Sequence, residues 1–270
     1  MGKYNWSEKE INFLKENYPK MGRHYCSNEL NIPLEKIVYK IRKLGLKKDS
    51  SLNVESFLNI RDAEMAYMLG FMWADGHVSN DGRHFNVSGV EIDISKIEWL
   101  FNKYGNWCKH YDDRSKYGWQ NALTIIGSNV NIHSFLVDND YQNKSYVSAD
   151  KILDKIPDDL KHYWFRGLID GDGCFYINKS GKVGQFTIAS TYEQDWSYFE
   201  KLCKDLDIKY KISKFERINK SSGNINKYSI LRILGSEIIK IGEFLYQGKQ
   251  FGLDRKLKKF NLIKKCYVNN

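Results

Sequence analysis

Two aspartates, Asp75 and Asp172, each close a short segment of similar sequence, MLGFMWADG at 68–76 and FRGLIDGDG at 165–173. Each segment predicts a helix that ends at the glycine after the aspartate, because glycine is favoured where a helix turns into the left-handed region. A carboxylate at that end faces the negative pole of the helix dipole and unpaired carbonyl oxygens. Two such ends side by side are unfavourable without a cation. The pair therefore predicts a divalent metal site, for Mg²⁺ or Mn²⁺, that can activate water against a phosphodiester.

Small residues recur along one side of each predicted helix. Gly70 and Ala74 are four residues apart in the first segment, and Gly167 and Gly171 are four apart in the second. Residues with this spacing share a helix face, and small side chains allow a partner backbone to approach closely. We therefore expect the two helices to pack on each other along these faces.

The sequence repeats after each aspartate. An alternating strand pattern follows, HFNVSGV in one copy and GQFTIAS in the other, then a helix that begins with acidic residues, then LTIIGS at 123–128 or LRILGS at 231–236. A short amphipathic stretch closes each copy. The order αββαβ(β)α, found twice with longer hairpin loops in the second copy, predicts a pseudo-two-fold α+β structure.

These segments resemble the LAGLIDADG family of homing endonucleases, as a single-chain, two-motif member over residues 60–265. The first segment keeps the family's Gly70, Ala74, Asp75 and Gly76, and the second keeps Gly167, Leu168, Ile169, Asp170, Asp172 and Gly173. The resemblance implies two αββαββα half-domains, 63–157 and 158–270, that form a DNA-binding saddle. It also implies a monomer that cuts both strands of a long, imperfectly palindromic DNA site.

The same resemblance implies roles for individual residues. Asp75 and Asp172 would bridge metal ions, with carbonyl oxygens of Ala74 and Gly171 in the metal shell. Family members often place a basic residue near each scissile phosphate, where it stabilises developing charge. Lys144 is a candidate after the first half and Lys256, with Arg255 as competitor, after the second; the alternative is that they are ordinary loop cations.

The chain departs from the family at the end of the second strand of each half. Many relatives carry glutamine or a similar polar residue there, whereas this chain has Gly89 and Ser190. Ser190 can hold a water molecule and Gly89 cannot, which predicts unequal cutting of the two strands.

The strands of the saddle would lie along the major grooves, with alternate side chains directed at the DNA. The candidates for DNA contact in the two halves are Arg83, Arg114, Lys116, Lys179, Lys182, Ser190, Lys214, Arg217, Lys227 and Arg232. The competing interpretation of each charged residue is simple solvation.

Residues 1–48 predict three short helices. Ser7 and Glu10 form a capping-box pattern for the first, His24–Leu30 make the second, and LEKIVYKIRKLG makes the third. One side of the third helix carries Lys36, Tyr39, Lys40 and Lys43, as in a recognition helix, although a solvated basic face is the alternative. The segment resembles SANT- or Myb-like helix-turn-helix modules, and residues 49–62 are interpreted as a linker.

Composition limits the partners. Lys and Arg number 42 against 33 Asp and Glu, a net charge of +9 that favours a polyanionic partner. The five cysteines form no CxxC pair, and neither a signal core nor a membrane span is recognisable. We expect a cytoplasmic protein in a reducing compartment, with an organelle left open and no membrane partner.

Two other functions remain open at this stage. One is an RNA-binding maturase, in which the same saddle assists splicing of its host intron RNA. The other is a DNA-binding regulator whose nuclease body is inactive. The presence of both aspartates favours the nuclease.

Overall fold

The computed structural model describes residues 4–46, 52–178, 184–218, 223 and 225–268. The chain divides into two compact units, 1–51 and 52–270, each with its own hydrophobic core.

The smaller unit is helical. Helix α1 (Glu8–Leu30) is broken at Gly22, whose φ of 82° and ψ of 175° are not helical, so it consists of two helical stretches, and α2 (Leu34–Lys43) follows. The predicted capping box is confirmed, because Ser7 Oγ accepts from the Glu10 amide and the Glu10 carboxylate accepts from the Ser7 amide. The core of this unit comprises Leu14, Cys26, Ile32, Ile37 and Ile41.

The larger unit contains the predicted repeat. Its first part comprises α3 (Val54–Leu58), α4 (Ala63–Asp75), β1 (Gly76–Val78), β2 (His84–Val90), α5 (Glu91–Lys103), β3 (Cys108–Asp112), β4 (Ala122–Ser128) and α6 (Val130–Asp138). A short helix, α7 (Asp150–Leu153), leads to the second part. That part comprises α8 (Lys161–Asp172), β5 (Gly173–Ile177), β6 (Gly184–Thr191), α9 (Ser197–Asp205), β7 (Tyr210–Ile218), β8 (Ile225–Leu234), α10 (Glu237–Leu245) and α11 (Asp254–Val268).

Each half forms a four-stranded antiparallel sheet of the same topology, with strand orders β1-β2-β4-β3 and β5-β6-β8-β7. The register is also shared, since Gly76 pairs with Val87 in one sheet and Gly173 with Ile188 in the other. The predicted α+β fold with two related halves is therefore confirmed. The second hairpin is longer, but the expectation that its loop carries the extra residues was wrong: β7 and β8 have 9 and 10 residues, whereas β3 and β4 have 5 and 7, and the connection 219–224 is shorter than 113–121.

Helices α4 and α8 pack along the predicted small-residue faces. A β-carbon on Gly70 would overlap the Trp164 carbonyl, and one on Gly167 would overlap the Tyr67 carbonyl. These two contacts are equivalent in the two copies of the repeat. Further along, Gly171 lies against the side chain of Ala74.

The conformation expected at the two helix ends was wrong. Gly76 has φ −81° and ψ 156°, and Gly173 has φ −76° and ψ 154°, so both are extended rather than left-handed. Glycine is needed at both positions because a β-carbon would not fit against the preceding turn of the helix. A β-carbon on Gly76 would overlap the Met72 carbonyl, and one on Gly173 would lie 2.8 Å from the Ile169 carbonyl oxygen. The chain therefore passes straight from each helix into the first strand.

The segment interpreted as a linker is part of the larger unit from Leu52 onward. Leu52, Phe57 and Ile60 are all buried in its main core, with Phe57 on α3. Burial of three apolar side chains fixes this stretch to the fold, which a flexible linker would not need. Separately, within the described part of the chain no helix is long and apolar enough to cross a membrane.

Candidate active site

Asp75 and Asp172 are the last residues of α4 and α8, so close packing of these helices brings the two aspartates together. A β-carbon on Gly171, the residue before Asp172, would lie 2.9 Å from Asp75 Oδ2. Burial raises the pKa of Asp75, and the cations of Lys144 and Lys256 act against that shift. Although Asp172 retains solvent exposure, desolvation raises its pKa to about 6, and the Asp75 carboxylate adds to this shift.

Lys144 lies at the end of α4. Its Nζ donates to the carbonyl oxygens of Ala74 and Gly76, both at 2.6 Å, and to that of Met72 at 3.2 Å. Desolvation lowers the pKa of Lys144 to about 8, while the charges of Asp172 and Asp75 oppose this shift. The carbonyl of Ala74, which we expected to bind metal, is therefore also the acceptor for this ammonium group.

Lys256 occupies the matching place at the end of α8. It is buried on the first turn of α11, and its Nζ donates to the Gly173 carbonyl, the counterpart of Gly76. Desolvation lowers the pKa of Lys256, with the neighbouring Arg255 as the second cause. Arg255 itself makes a bidentate ion pair with Asp93 of α5, with Nη2 to Oδ2 at 2.7 Å and Nε to Oδ1 at 3.0 Å. Of the two neighbours, Lys256 is thus the one at the helix ends.

The donor set at the helix ends fits a hard divalent cation. Two carboxylates repel each other, and this repulsion contributes to the raised pKa of Asp172. A cation between them would relieve it, and carbonyl oxygens of the helix ends are further ligands of the type that Mg²⁺ accepts. Among the described residues no cluster of three or more His, Cys, Asp or Glu side chains could hold a metal, so substrate or water oxygens would have to complete the shell.

The two halves differ beside this site. Ser190 Oγ donates to Gln194 Oε1 at 2.7 Å, and Gln194 Nε2 donates to the Val147 carbonyl at 3.1 Å. Ser190 and Gln194 line a cavity of about 40 Å³ together with Asp172 and Lys144, which is room for a few waters. In the first half the space next to Gly89 is taken by Ile94. The contacts at Ser190 and Gly89 thus differ, while unequal cutting of the two strands stays a prediction; sequence reasoning missed Gln194.

The strand register divides the predicted DNA contacts of the second half between two faces. Directly paired residues project to the same side of a sheet. Ile188 and Leu231 are buried on one face of the sheet. Arg232 pairs with Thr187 and Lys211 on the opposite face, which we call the open face. Arg217 lies on the open face as well. Lys214 pairs with Ser229, which is buried on the helix-covered face.

Lys227 lies on the helix-covered face as well, in an ion pair with Glu216 at 3.0 Å, and both Lys227 and Lys214 stack over the Tyr192 ring. Because side chains alternate along a strand, Lys214 and Lys227 do not share the open face of Arg217 and Arg232, and their contact with DNA stays a prediction. Lys179 and Lys182 lie outside the described residues.

The first sheet presents a different chemistry. Its open face carries polar side chains, including His77, Asn86, Ser88, His110 and Thr124, with Ser88 and Thr124 hydroxyls 2.9 Å apart. The predicted cations lie around its rim. Arg83 donates to Ser128 at 3.0 Å, Arg114 pairs with Asp112 at 2.7 Å, and Lys116 stacks on Tyr117. Strand alternation could have identified the polar row in advance, had the register been known.

In the smaller unit, the predicted recognition helix has its apolar side buried through Ile37 and Ile41. Tyr39 is 67% exposed and Lys43 is exposed, whereas Lys40 packs over the Trp6 ring at 5.5 Å and Lys36 is half-buried. The resemblance to SANT- or Myb-like modules stays a prediction.

A scan against protein-family models finds no match, and neither does a search of curated proteins. Solved structures do match. An I-SmaMI mutant is 14% identical, with 78% of this chain and 92% of that chain covered and a TM-score of 0.45. Full-length DUF199/WhiA from Thermatoga maritima is 15% identical, with 80% and 64% covered and a TM-score of 0.46. I-DmoI in complex with DNA and Mn is 10% identical, with 73% and 100% covered and a TM-score of 0.41.

The matched structures thus include a homing endonuclease, I-DmoI, and a protein whose N-terminal domain is a LAGLIDADG domain, WhiA. At these identities the likeness concerns the fold. The function proposed below rests on this chain's own residues.

Proposed function

We propose that this chain is a single-chain LAGLIDADG homing endonuclease that uses Mg²⁺, or Mn²⁺, to make a double-strand break at a long, imperfectly palindromic DNA site. The observation that carries the proposal is the meeting of Asp75 and Asp172 at two packed helix ends, with Lys144 and Lys256 at matching carbonyls. Two carboxylates and two ammonium groups arranged in this paired way fit two phosphodiesters, one on each strand.

Asp75 and Asp172 would hold the metal, with the Ala74 and Gly171 carbonyls as further ligands. A bound divalent ion would supply activated water and neutralise charge on the phosphate. Lys144, whose pKa is about 8, is mostly protonated at neutral pH, so its ammonium group can stabilise the negative charge that develops during hydrolysis. Lys256 is placed to do the same at the other helix end. Ser190 and Gln194 can orient water on the side of Asp172 only.

The DNA would lie across the open faces of the two sheets. Arg217, Arg232 and Lys211 give the second face positive charge, while the polar row of the first face offers hydrogen-bonding groups to base edges. The net charge of +9 would draw the duplex to both. The basic side of α2 would contact flanking duplex.

The test is selection of cleaved sites from a library of randomised duplex DNA, incubated with purified full-length protein and Mg²⁺, followed by sequencing of the cut ends. We expect one family of long sites, cut on both strands, and no cutting with EDTA. Asp75→Asn and Asp172→Asn should each abolish the double-strand break. Cleavage that persists in both variants, or wild-type protein that cuts no duplex and binds intron RNA instead, would overturn the proposal.

A further inference from the structure

Lys256 is linked through backbone hydrogen bonds of Leu253 to the buried carboxylate of Asp170, which lies two residues before Asp172. Asp170 is 1% exposed, and its Oδ2 accepts from the Leu253 amide at 2.9 Å and from the Tyr67 hydroxyl at 2.7 Å. The Leu253 carbonyl in turn accepts from the Lys256 amide at 3.0 Å, so Leu253, directly before α11, is tied to the first turn of that helix. A carboxylate at a helix N-terminus is favoured by the dipole. Asp170 thus holds the start of the helix whose first turn carries Lys256.

The segment before Leu253 is held to α8 by further contacts. Arg166, one turn before Asp170, donates to the carbonyls of Lys249 and Phe251, and its guanidinium packs on the Phe251 ring. Gly252 has a φ of 98°, and a β-carbon there would lie 2.6 Å from Asp170 Oδ2. The connection between α10 and α11 therefore fits closely around the Asp170 carboxylate.

In the first half, the position that corresponds to Asp170 has different contacts. The residue that matches Asp170 in the repeat is Trp73, whose ring meets Tyr141 edge-to-face at 5.1 Å. The Tyr141 hydroxyl donates to the Leu69 carbonyl at 3.0 Å. An aromatic pair and one neutral hydrogen bond thus take the place of the buried carboxylate and its guanidinium neighbour.

We propose that Asp170 is the positioning residue for Lys256, and that it acts on one of the two strand cuts and not on the other. Asp170 touches neither Lys256 nor the helix-end carbonyls through its own side chain. It fixes the Leu253 peptide, and so sets the distance from Lys256 Nζ to Gly173. Tyr141, three residues before Lys144 in the chain, would have the corresponding role in the first half. Where it concerns strand cutting, this inference rests on the proposed function.

The first experiment measures Lys256 without DNA or metal. Full-length wild-type, Asp170→Leu and Asp170→Asn proteins are labelled briefly with acetic anhydride, and each lysine is read by mass spectrometry. We expect the reactivity of Lys256 to rise severalfold in Asp170→Leu and less in Asp170→Asn, which keeps an acceptor oxygen. Lys144 should react as in wild type. Asp205→Leu, at an exposed carboxylate on α9, is the control and should change neither lysine.

The second experiment measures each strand separately on a selected site with a different label on each strand. In Asp170→Leu one strand should be cut more slowly by about 10- to 100-fold, the usual cost of losing a supporting hydrogen bond or misplacing a group by about 1 Å. Lys256→Met should slow the same strand, and the double variant should be no slower than Lys256→Met. Tyr141→Phe should instead slow the opposite strand.

These readouts separate positioning from general damage. Unchanged Lys256 labelling in folded variants, equal slowing of both strands, or additive effects with Lys256→Met would each overturn the inference. If Asp170→Leu fails to fold, Asp170→Asn decides the question by the same two readouts. If wild type cuts no DNA, the proposed function fails while the labelling result still stands.

Discussion

Gly70 on α4 lies against the backbone carbonyl of Trp164 on α8, and Gly167 on α8 makes the equivalent contact with the carbonyl of Tyr67 on α4. Neither position has room for a β-carbon. Because Asp75 and Asp172 end these same helices, the interhelical distance set by the glycines also sets the distance between the carboxylates. The close packing of α4 on α8 in the core therefore also determines the geometry of the site.

A methyl group at this contact should separate the helices. Gly70→Ala and Gly167→Ala should each lower the free energy of unfolding by about 1–3 kcal/mol or more, since the overlap is with backbone that cannot rotate away. Urea unfolding followed by circular dichroism measures this. Gly89→Ala is the control, because its β-carbon would meet only the flexible end of Ile94, at 3.1 Å. Equal loss in all three variants would contradict the packing argument.

The raised pKa of Asp172 predicts how stability of the metal-free protein depends on pH. Its folded pKa of about 6 lies above the ordinary aspartate pKa of 3.8, so between these values the folded state binds more protons than the unfolded state. Stability should therefore fall as the pH rises from about 4 to about 6. Asp172→Asn removes this penalty and should melt at a higher temperature than wild type at pH 7.

The two proteins should differ little near pH 4 when both are measured in EDTA. Addition of Mg²⁺ at pH 7 should raise the melting temperature of wild type and leave that of Asp172→Asn almost unchanged, because ligand binding stabilises the state that binds it. A melting temperature of Asp172→Asn below that of wild type at pH 7 in EDTA would contradict the inference that the ionised Asp172 carboxylate destabilises the metal-free protein.

The two faces of the second sheet should contribute differently to DNA binding. Arg232→Gln, on the open face, should weaken binding and reduce the slope of log affinity against log salt by about 1, as expected for one lost phosphate contact. Lys227→Gln, on the helix-covered face and paired with Glu216, should change both much less. Fluorescence anisotropy at several salt concentrations measures this. Equal effects would mean that the hairpin binds DNA by both faces.

The smaller unit should affect binding more than chemistry. Tyr39→Ala combined with Lys43→Ala should weaken affinity for a selected site with long flanks, because both side chains are exposed on α2. The cleavage rate at saturating protein should stay as in wild type. Lys15→Ala, an exposed lysine on α1, is the matched control. Unchanged affinity in the double variant would count against a DNA-binding role for this helix.

Much of the site could be predicted because its signal is local. Asp75 and Asp172 each follow a helical strip of small residues, and a duplicated segment identifies itself by sequence alone. The expectation at Gly76 and Gly173 failed for a physical reason. A glycine can be required by a left-handed φ or by a close approach of other atoms, and only the positions of Met72 and Ile169 in the folded protein distinguish the two.

Other parts of the site depend on contacts between distant segments. Strand register placed Arg232 on the open face and Lys227 on the covered one, and register is fixed by pairing partners that lie far apart in the chain. Likewise, nothing near Asp170 in the sequence indicates that its carboxylate holds the Leu253 amide.

The two halves, the paired aspartates and the candidate lysines could be identified from the amino-acid sequence, because helix periodicity, small-residue spacing and duplication are properties of neighbouring residues. The side chains that face the open sheets and the contacts around each lysine could be identified only from the folded protein. Those relationships arise from long-range packing, such as the hydrogen bond from the Leu253 amide to Asp170 and the contact of the Trp73 and Tyr141 rings.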